Sequence, residues 1–316
     1  MGSGHAHDTD RRPALAPPRL REVAEDVFAY VQPDGSWWIN NTGAIAGAGQ
    51  VVAVDTCSTE RRTRAMLAAL EEGLGRLPRT VVNTHHHGDH TNGNCFLPEA
   101  TVVGHDRCRE EIVRTGVLRP DGLFEPVEWG EISARPPTVT FSDRLDLWVG
   151  DLRVELRHFG TPAHTTNDVV AWIPERGVLF TGDLVFNGGT PFVLMGSVSG
   201  SLEALDRIAE LDAIVLVPGH GEPCPPSAID VVGRYLRHLQ AVAKEGVEAG
   251  ITPLEAARST DLGEFAVLLD PERLVGNLHR AFAEAKGARP GDPIDIVPAF
   301  ADMVVLNGGR PLRCLA

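Results

Sequence analysis

The sequence predicts an α/β protein folded as a four-layer αββα sandwich with a C-terminal helical extension. Three observations carry that expectation. The first is an internal echo: VVAVD, a helical stretch and TVVNTHHHGDH are answered later by VLFTGD, a helical stretch and IVLVPGHG. Each half sets an acid after one strand and histidine after the next, which implies two β/α layers whose polar strand ends meet. The second is the period-two alternation of apolar residues between the helical stretches, the mark of half-buried strands. The third is the change to helical spacing beyond about residue 226.

The totals exclude several classes. A length of 316 residues allows one large α/β domain or two small ones, and 43% hydrophobic content supports a real core. Net charge of −14 argues against nucleic acid or an anionic membrane as partner. Cys57, Cys95, Cys108, Cys224 and Cys314 are scattered without a CxxC pair, and read as reduced thiols. Neither a signal-like apolar run at the start nor a stretch of about 18 apolar residues occurs, so a soluble cytoplasmic protein is expected.

Taken in order, residues 1–22 are expected to form a flexible, proline-rich tail that includes His5 and His7. Residues 27–32 read as a strand closed by the turn Pro33-Asp34-Gly35-Ser36, and residues 44–46 and 51–54 as two more. Trp37 or Trp38 is expected to roof a substrate cavity, with core packing as the plain alternative. After Asp55, Ser58 or Thr59 caps a helix striped by Met66, Leu67, Leu70, Leu74 and Leu77. Strands follow at 80–82 and 101–103. Residues 115–137 are long and irregular, and their Leu123, Phe124 and Trp129 suit a hydrophobic lid.

The second half repeats the plan. Residues 145–149 and 152–158 read as a hairpin about Gly150-Asp151, and residues 169–173 and 178–181 as strands on either side of a turn. Ser201 caps a helix striped by Leu202, Leu205, Ile208 and Leu211, and residues 214–217 form a last buried strand. Ile229, Val232, Leu236, Leu239 and Val242 stripe one further helix; Asp270, Pro271 and Gly287 bracket another. Residues 226–316 are thus expected to be a helical cap packed on a catalytic domain of residues 23–225. Arg234, Arg237, His238 and Arg280 read as a solvated face of these helices, with carrier-protein docking as the alternative.

The chemistry concentrates in residues 84–94, THHHGDHTNGN. By strand alternation His85 and His87 share one side and can share a metal, while Asp89 and His90 in the following turn can reach a second. Imidazole nitrogens and carboxylates are the ligands zinc prefers. A histidine-rich surface turn is the plain alternative, and His164, Asp183 and His220 at later strand ends weigh against it. Two neighbouring divalent ions acidify a shared water and stabilise charge developing on a carbonyl oxygen. Asp89 is placed to bind metal and to accept a proton. Asp55 and Thr165 are expected to orient ligands, or to cap turns. His86 is expected to point away, and His105, His158 and His279 to be packing or surface histidines.

The order HxHxDH, then His, Asp and His at strand ends resembles the metallo-β-lactamase superfamily over roughly residues 23–225. That resemblance implies that His85, His87 and His164 hold one zinc ion and Asp89, His90 and His220 a second, with manganese or iron as alternatives. Asp183 would bridge them, and Asp89, His90 and Asp183 would carry the catalytic work. The absence of glutamate in the second place disfavours the di-iron flavoprotein branch, and Asp183 stands where one β-lactamase class has cysteine. Within the superfamily, THHHGDHTNGN, PAHTTNDVVAWIPERGVLFTGDLVF, GGTPFVLMGSVSGSL and LDPERLVGNLHRAF look like actinorhodin-type aromatic polyketide cyclases of actinobacteria. This implies aldol-type ring closure of a polyketide with loss of water, with or without thioester release from an acyl carrier protein. Trp37, Trp38, Trp129, Phe192, Val193, Leu194 and Met195 would wall the substrate pocket. Two other readings stand beside it. One is a general hydrolase of a thioester, ester, lactone or lactam, similar to glyoxalase II; the other is a non-catalytic binding module, against which the full ligand set argues.

Overall fold

The structure, a computed structural model, describes residues 15–120 and 122–316. Strands β1 (Arg19–Ala24), β2 (Val27–Val31), β3 (Thr42–Gly47) and β4 (Gln50–Val54) form an antiparallel meander. β5 (Thr80–Val82), β6 (Thr101–His105) and β7 (Val139–Phe141) extend it in parallel, giving a seven-stranded sheet in sequential order. The second sheet holds β8 (Arg144–Val149), β9 (Leu152–Arg157), β10 (Val170–Ile173), β11 (Val178–Phe186) and β12 (Val215–His220), ordered β12-β11-β10-β9-β8. Here only the β11–β12 pair is parallel.

Period-two alternation decides which face meets which layer. Val27, Ala29 and Val31 of β2 turn inward with Ile45, Val52 and Val54 and meet Val154, Leu156 and Ile173 of the second sheet. Their neighbours Tyr30, Ala44 and Val51 turn outward against Met66 and Leu70 of α1 (Glu60–Leu74). The outer face of the second sheet, through Val170, Trp172 and Leu179, packs on α4 (Val198–Ala209), α5 (Ala228–Ala249) and α7 (Arg273–Ala285). The predicted four-layer αββα sandwich is therefore the observed one. Shorter helices complete the chain: α2 (Gly88–Thr91), α3 (Asp106–Thr115), α6 (Pro253–Ser259) and α8 (Ile296–Leu306). No helix among the described residues is long and apolar enough to cross a membrane. The five cysteines are free thiols.

Several local expectations are corrected. β1 begins at Arg19 and pairs with β2, so residues 19–22 are not tail; residues 1–14, with His5 and His7, lie outside the described residues. Thr59 is the α1 cap, its side chain accepting from the Arg62 N–H; Gly75 stops the helix, leaving Leu77 outside it and exposed. Ser197, not Ser201, caps α4, which starts earlier and ends before Leu211. Asp270 does not cap α7; its carboxylate instead faces Arg273 and the Trp37 N–H. Arg280 is not solvated: it is 2% exposed and donates to the carbonyls of Leu194 and Asp292. Arg234 and Arg237 are exposed, as expected, and Arg234 pairs with Glu264.

Candidate metal centre

Parallel pairing brings the functional strand ends together. β4 runs into Asp55 and β5 into residues 83–90, tied by Asp55 N–H to Val82 O at 2.8 Å and Thr56 N–H to His90 O at 2.9 Å. β11 and β12 deliver Asp183 and His220 from the other sheet. The two sheet ends are joined by Val169 N–H to Thr84 O at 2.7 Å and Asn41 N–H to Gly219 O at 2.6 Å. Strand alternation is not what aims His85 and His87, because β5 ends at Val82; the irregular turn after it does. His87 ends that turn, and Asp89 and His90 stand on the single turn of α2. Asp183 lies inside β11 rather than after it, at a break in register around Gly182. A side chain at Gly219 would meet the Asp183 carboxylate at 1.8 Å, so only glycine admits that carboxylate here.

The predicted ligands fall into two groups: His85, His87, His164 and Asp183, and Asp89, His90 and His220, with the ligand atoms of each group within 4.8 Å of one another. His87 Nδ1 lies 3.1 Å from His85 Nε2 and 2.8 Å from His164 Nε2. Asp183 links the groups. Its Oδ2 is 3.4 Å from both His164 Nε2 and His220 Nε2, and its Oδ1 is 3.2 Å from His90 Nε2. Asp89 Oδ2 is 3.3 Å from His220 Nε2.

The donor set fits divalent metal. His90 Nε2 and Asp183 Oδ1 are buried and close, yet make no hydrogen bond to each other or to any other group. Buried polar atoms without a partner are rare, and both are open to a shared metal ion. The opposite nitrogens of four histidines are held: His85 Nδ1 by Thr84 Oγ1 at 3.1 Å, His90 Nδ1 by Asp55 Oδ2 at 2.8 Å, His164 Nδ1 by Phe192 O, and His220 Nδ1 by Gly35 O at 3.1 Å. Such contacts set the tautomer and ring orientation that a ligand needs. Asp55 orients as expected, from a left-handed backbone (φ 63°) that aspartate tolerates. Thr165 does not; it turns to Asp168, with Oγ1 to Oδ1 at 2.7 Å.

Electrostatics point the same way. Burial, helped by neighbouring histidines, holds His85 and His87 well below the ordinary imidazole range, leaving lone pairs free. Burial pushes on His90 and His220 likewise, but the carboxylates around them win, holding His90 well above its usual value and His220 at about 9. Burial would raise Asp183 and Asp89, and the surrounding histidines reverse it, holding Asp183 well below the carboxylate range. The carboxylates thus favour positive charge on His90 and His220, a place that divalent ions would take from those protons.

Above the centre lies a cavity of about 340 Å³ whose lining includes His87, Asp89, His164, Asp183 and His220. Trp37, Trp38, Phe192 and Met195 line it as expected; Trp129 does not, but backs Trp38 with ring centroids 4.8 Å apart. Val193 and Leu194 are core residues, 3% and 0% exposed. Leu123 and Phe124 contribute from the long irregular segment. His86 stays out of both ligand groups yet lines the cavity, 3.0 Å from Asn167 Nδ2. His105, His158 and His279 pack elsewhere: the first two rings lie 4.3 Å apart, and His279 meets Asp302. Sequence reasoning missed Phe186, which stacks on the His220 ring at 5.2 Å, and the α7–α8 residues Arg273, Ile296 and Phe300.

Arg273 belongs to a buried clamp on Trp37. Its guanidinium lies 4.0 Å over the Trp37 ring and 3.0 Å from Asp270 Oδ2, while Glu272 accepts the Trp37 indole N–H at 2.7 Å. Burial raises Asp270 to about 6, so the fold binds its proton more tightly than the unfolded chain does. That contribution favours the fold at low pH and fades as pH rises through about 6. Relative to an Asp270→Asn variant, the parent is expected to lose roughly 2 kcal/mol of stability between pH 4 and pH 7, read by urea unfolding at both. A flat difference would contradict it.

Fold and site together define an αββα sandwich with a two-part His/Asp centre at its strand ends. A sequence profile of the metallo-beta-lactamase superfamily matches residues 35–220, and the protein belongs to that superfamily. It is 32% identical over 184 residues to the 2,4-dinitroanisole O-demethylase subunit alpha of Nocardioides sp. (strain JS1661), covering 57% of this chain and 52% of that one. It is 33% identical over 170 residues to a hydroxyacylglutathione hydrolase of Methylococcus capsulatus, covering 53% and 55%. The chain thus spans about half the length of these curated relatives. A metallo-beta-lactamase from Pontibacter korlensis superposes with a TM-score of 0.58 over 70% of this chain and 99% of that one, at 19% identity, a likeness of fold alone. None of these three is named as a polyketide cyclase, so the finer resemblance finds no counterpart in them.

Proposed function

We propose that this protein is a two-metal hydrolase of a thioester, ester or lactone with a bulky, uncharged, apolar acyl part. One observation carries the reading: His87, His164 and Asp183 of one ligand group and Asp89 and His220 of the other line a single cavity whose walls include Trp37, Trp38, Phe124, Phe186, Phe192 and Phe300. The family and the hydrolase relative support it. Divalent ions bound there, zinc first among them, would supply Lewis acidity to a water and to a carbonyl oxygen. His85, His87 and His164 would hold one ion and Asp89, His90 and His220 the other, with Asp183 between them. Asp89 lines the cavity and is the chain's own group placed to accept a proton. The aromatic walls exclude water and orient the acyl group. The segment after residue 226 closes the cavity through Arg273, Ile296 and Phe300.

The lining also argues against a charged tripeptide thioester. Its arginines are Arg119 and Arg273, and Arg273 already faces Asp270. The test is a substrate panel with zinc-loaded protein: an aryl acyl thioester, an aryl lactone, a hydroxyacyl-glutathione thioester and an aromatic polyketide thioester, followed by mass spectrometry. Hydrolysis of the aryl substrates well above the glutathione thioester, lost in His85→Ala, is the expected result. Preference for the glutathione thioester would overturn the substrate class. Loss of one water from the polyketide without hydrolysis would replace hydrolysis by ring closure, the reading that the aromatic walls also favour.

A further inference from the structure

The ring of His164 is oriented by one backbone carbonyl, that of Phe192, which accepts from Nδ1. What holds that carbonyl in place is not in the segment matched by the family profile, which ends at residue 220. It is a polar stripe on α7. The Asn277 amide brackets Phe192 on both sides: Nδ2 donates to Pro191 O at 2.7 Å, and Oδ1 accepts from Val193 N–H at 2.8 Å. One turn earlier, Arg273 Nη1 donates to Thr190 O at 2.9 Å. One turn later, Arg280 Nε donates to Leu194 O at 3.1 Å. Residues 273, 277 and 280 share one helix face by their spacing, so α7 grips Thr190, Pro191, Val193 and Leu194 in register. Phe192 O is left facing His164.

We propose that Asn277 is a positioning residue for the metal centre, acting through the Phe192 carbonyl on His164. This rests on the reading of His164 as a metal ligand. Side-chain amides suit the task because one planar group offers a donor and an acceptor to both flanks of a single residue. Asn277 is fully buried, and its second amide hydrogen has its own acceptor, Tyr235 Oη at 3.1 Å, so the amide is satisfied in the core while its two bonds to Pro191 and Val193 alone form the bracket. A carbonyl so fixed keeps the imidazole in the tautomer that presents Nε2 to the metal.

The test measures zinc affinity by chelator competition in wild-type protein, Asn277→Ala and Tyr235→Phe. The visible spectrum of each cobalt-loaded protein and the Tm of each metal-free protein are recorded alongside. Asn277→Ala is expected to weaken zinc about tenfold and to alter the cobalt spectrum. Tyr235→Phe, which spares the bracket, should lower Tm with zinc affinity unchanged. Should Asn277→Ala fail to fold, Asn277→Ser, which keeps a small polar group but cannot span both flanks, carries the same expectation. A folded Asn277 variant that binds zinc within twofold of wild type, or an equal loss in Tyr235→Phe, overturns the proposal. Wild-type protein that binds no zinc overturns the metal reading beneath it, and the two failures are thereby told apart.

Discussion

Asp183→Ala is expected to cut hydrolysis about a thousandfold or more and to leave the protein unable to retain both ions. Among the described residues, Asp183 is the side chain whose carboxylate reaches into both ligand groups, toward His164, His220 and His90. Losing several kcal/mol of charge stabilisation at the reacting carbonyl, at 1.36 kcal/mol per factor of ten, gives that scale. Fold should survive, because the substitution sits within a nine-residue strand paired on both sides. Circular dichroism checks the fold, and elemental analysis with a thioester assay checks the rest. Retention of both ions with activity within tenfold of the parent would sink the bridging role.

Asp55→Ala is expected to act on stability first. Asp55 is buried, accepts the Thr84 N–H and Oγ1–H at 2.7 Å each, and faces His90 Nδ1 at 2.8 Å. Alanine leaves these partners buried and unsatisfied, and removing one partner of a buried charged network costs about 3–5 kcal/mol. It also frees the His90 ring, for which about 10–100-fold weaker metal binding is expected. Urea unfolding of metal-free protein reads the first effect and chelator competition the second. Asp55→Asn, which keeps hydrogen bonding in the left-handed backbone, should lose less stability. Equal losses for both substitutions would contradict that expectation and assign the stability to the carboxylate charge rather than to its hydrogen bonds.

The sandwich was legible because its signals are local. Alternation along β2 to β4 and the paired acid-then-histidine strand ends needed only neighbouring residues. Four of the seven candidate ligands were legible for the same reason, since HHHGDH falls within six residues. What stayed hidden depends on distance or on thin signals. The helix α3 buries only Cys108 and Ile112, too narrow a stripe to stand out among charged residues. Asp183 looked like a strand end because Gly182 interrupts the run, yet all nine residues of β11 are buried. Arg280 reads as solvent-facing by charge and Arg273 carries no signal of its own, whereas the backbone carbonyls of residues 190 and 194, some 80 positions away, satisfy them inside the core. Trp129 has the composition of a cavity wall, but Trp38 stands in front of it.

The most direct test of the account is the metal content of the folded protein. Protein loaded with zinc, then dialysed exhaustively against metal-free buffer, is analysed for zinc per chain beside Asp183→Ala and His85→Ala. Two tightly held equivalents in the parent, with at least one lost in each variant, is the predicted result. A folded parent that retains no zinc, manganese or iron would contradict the two-metal centre, and the hydrolase with it.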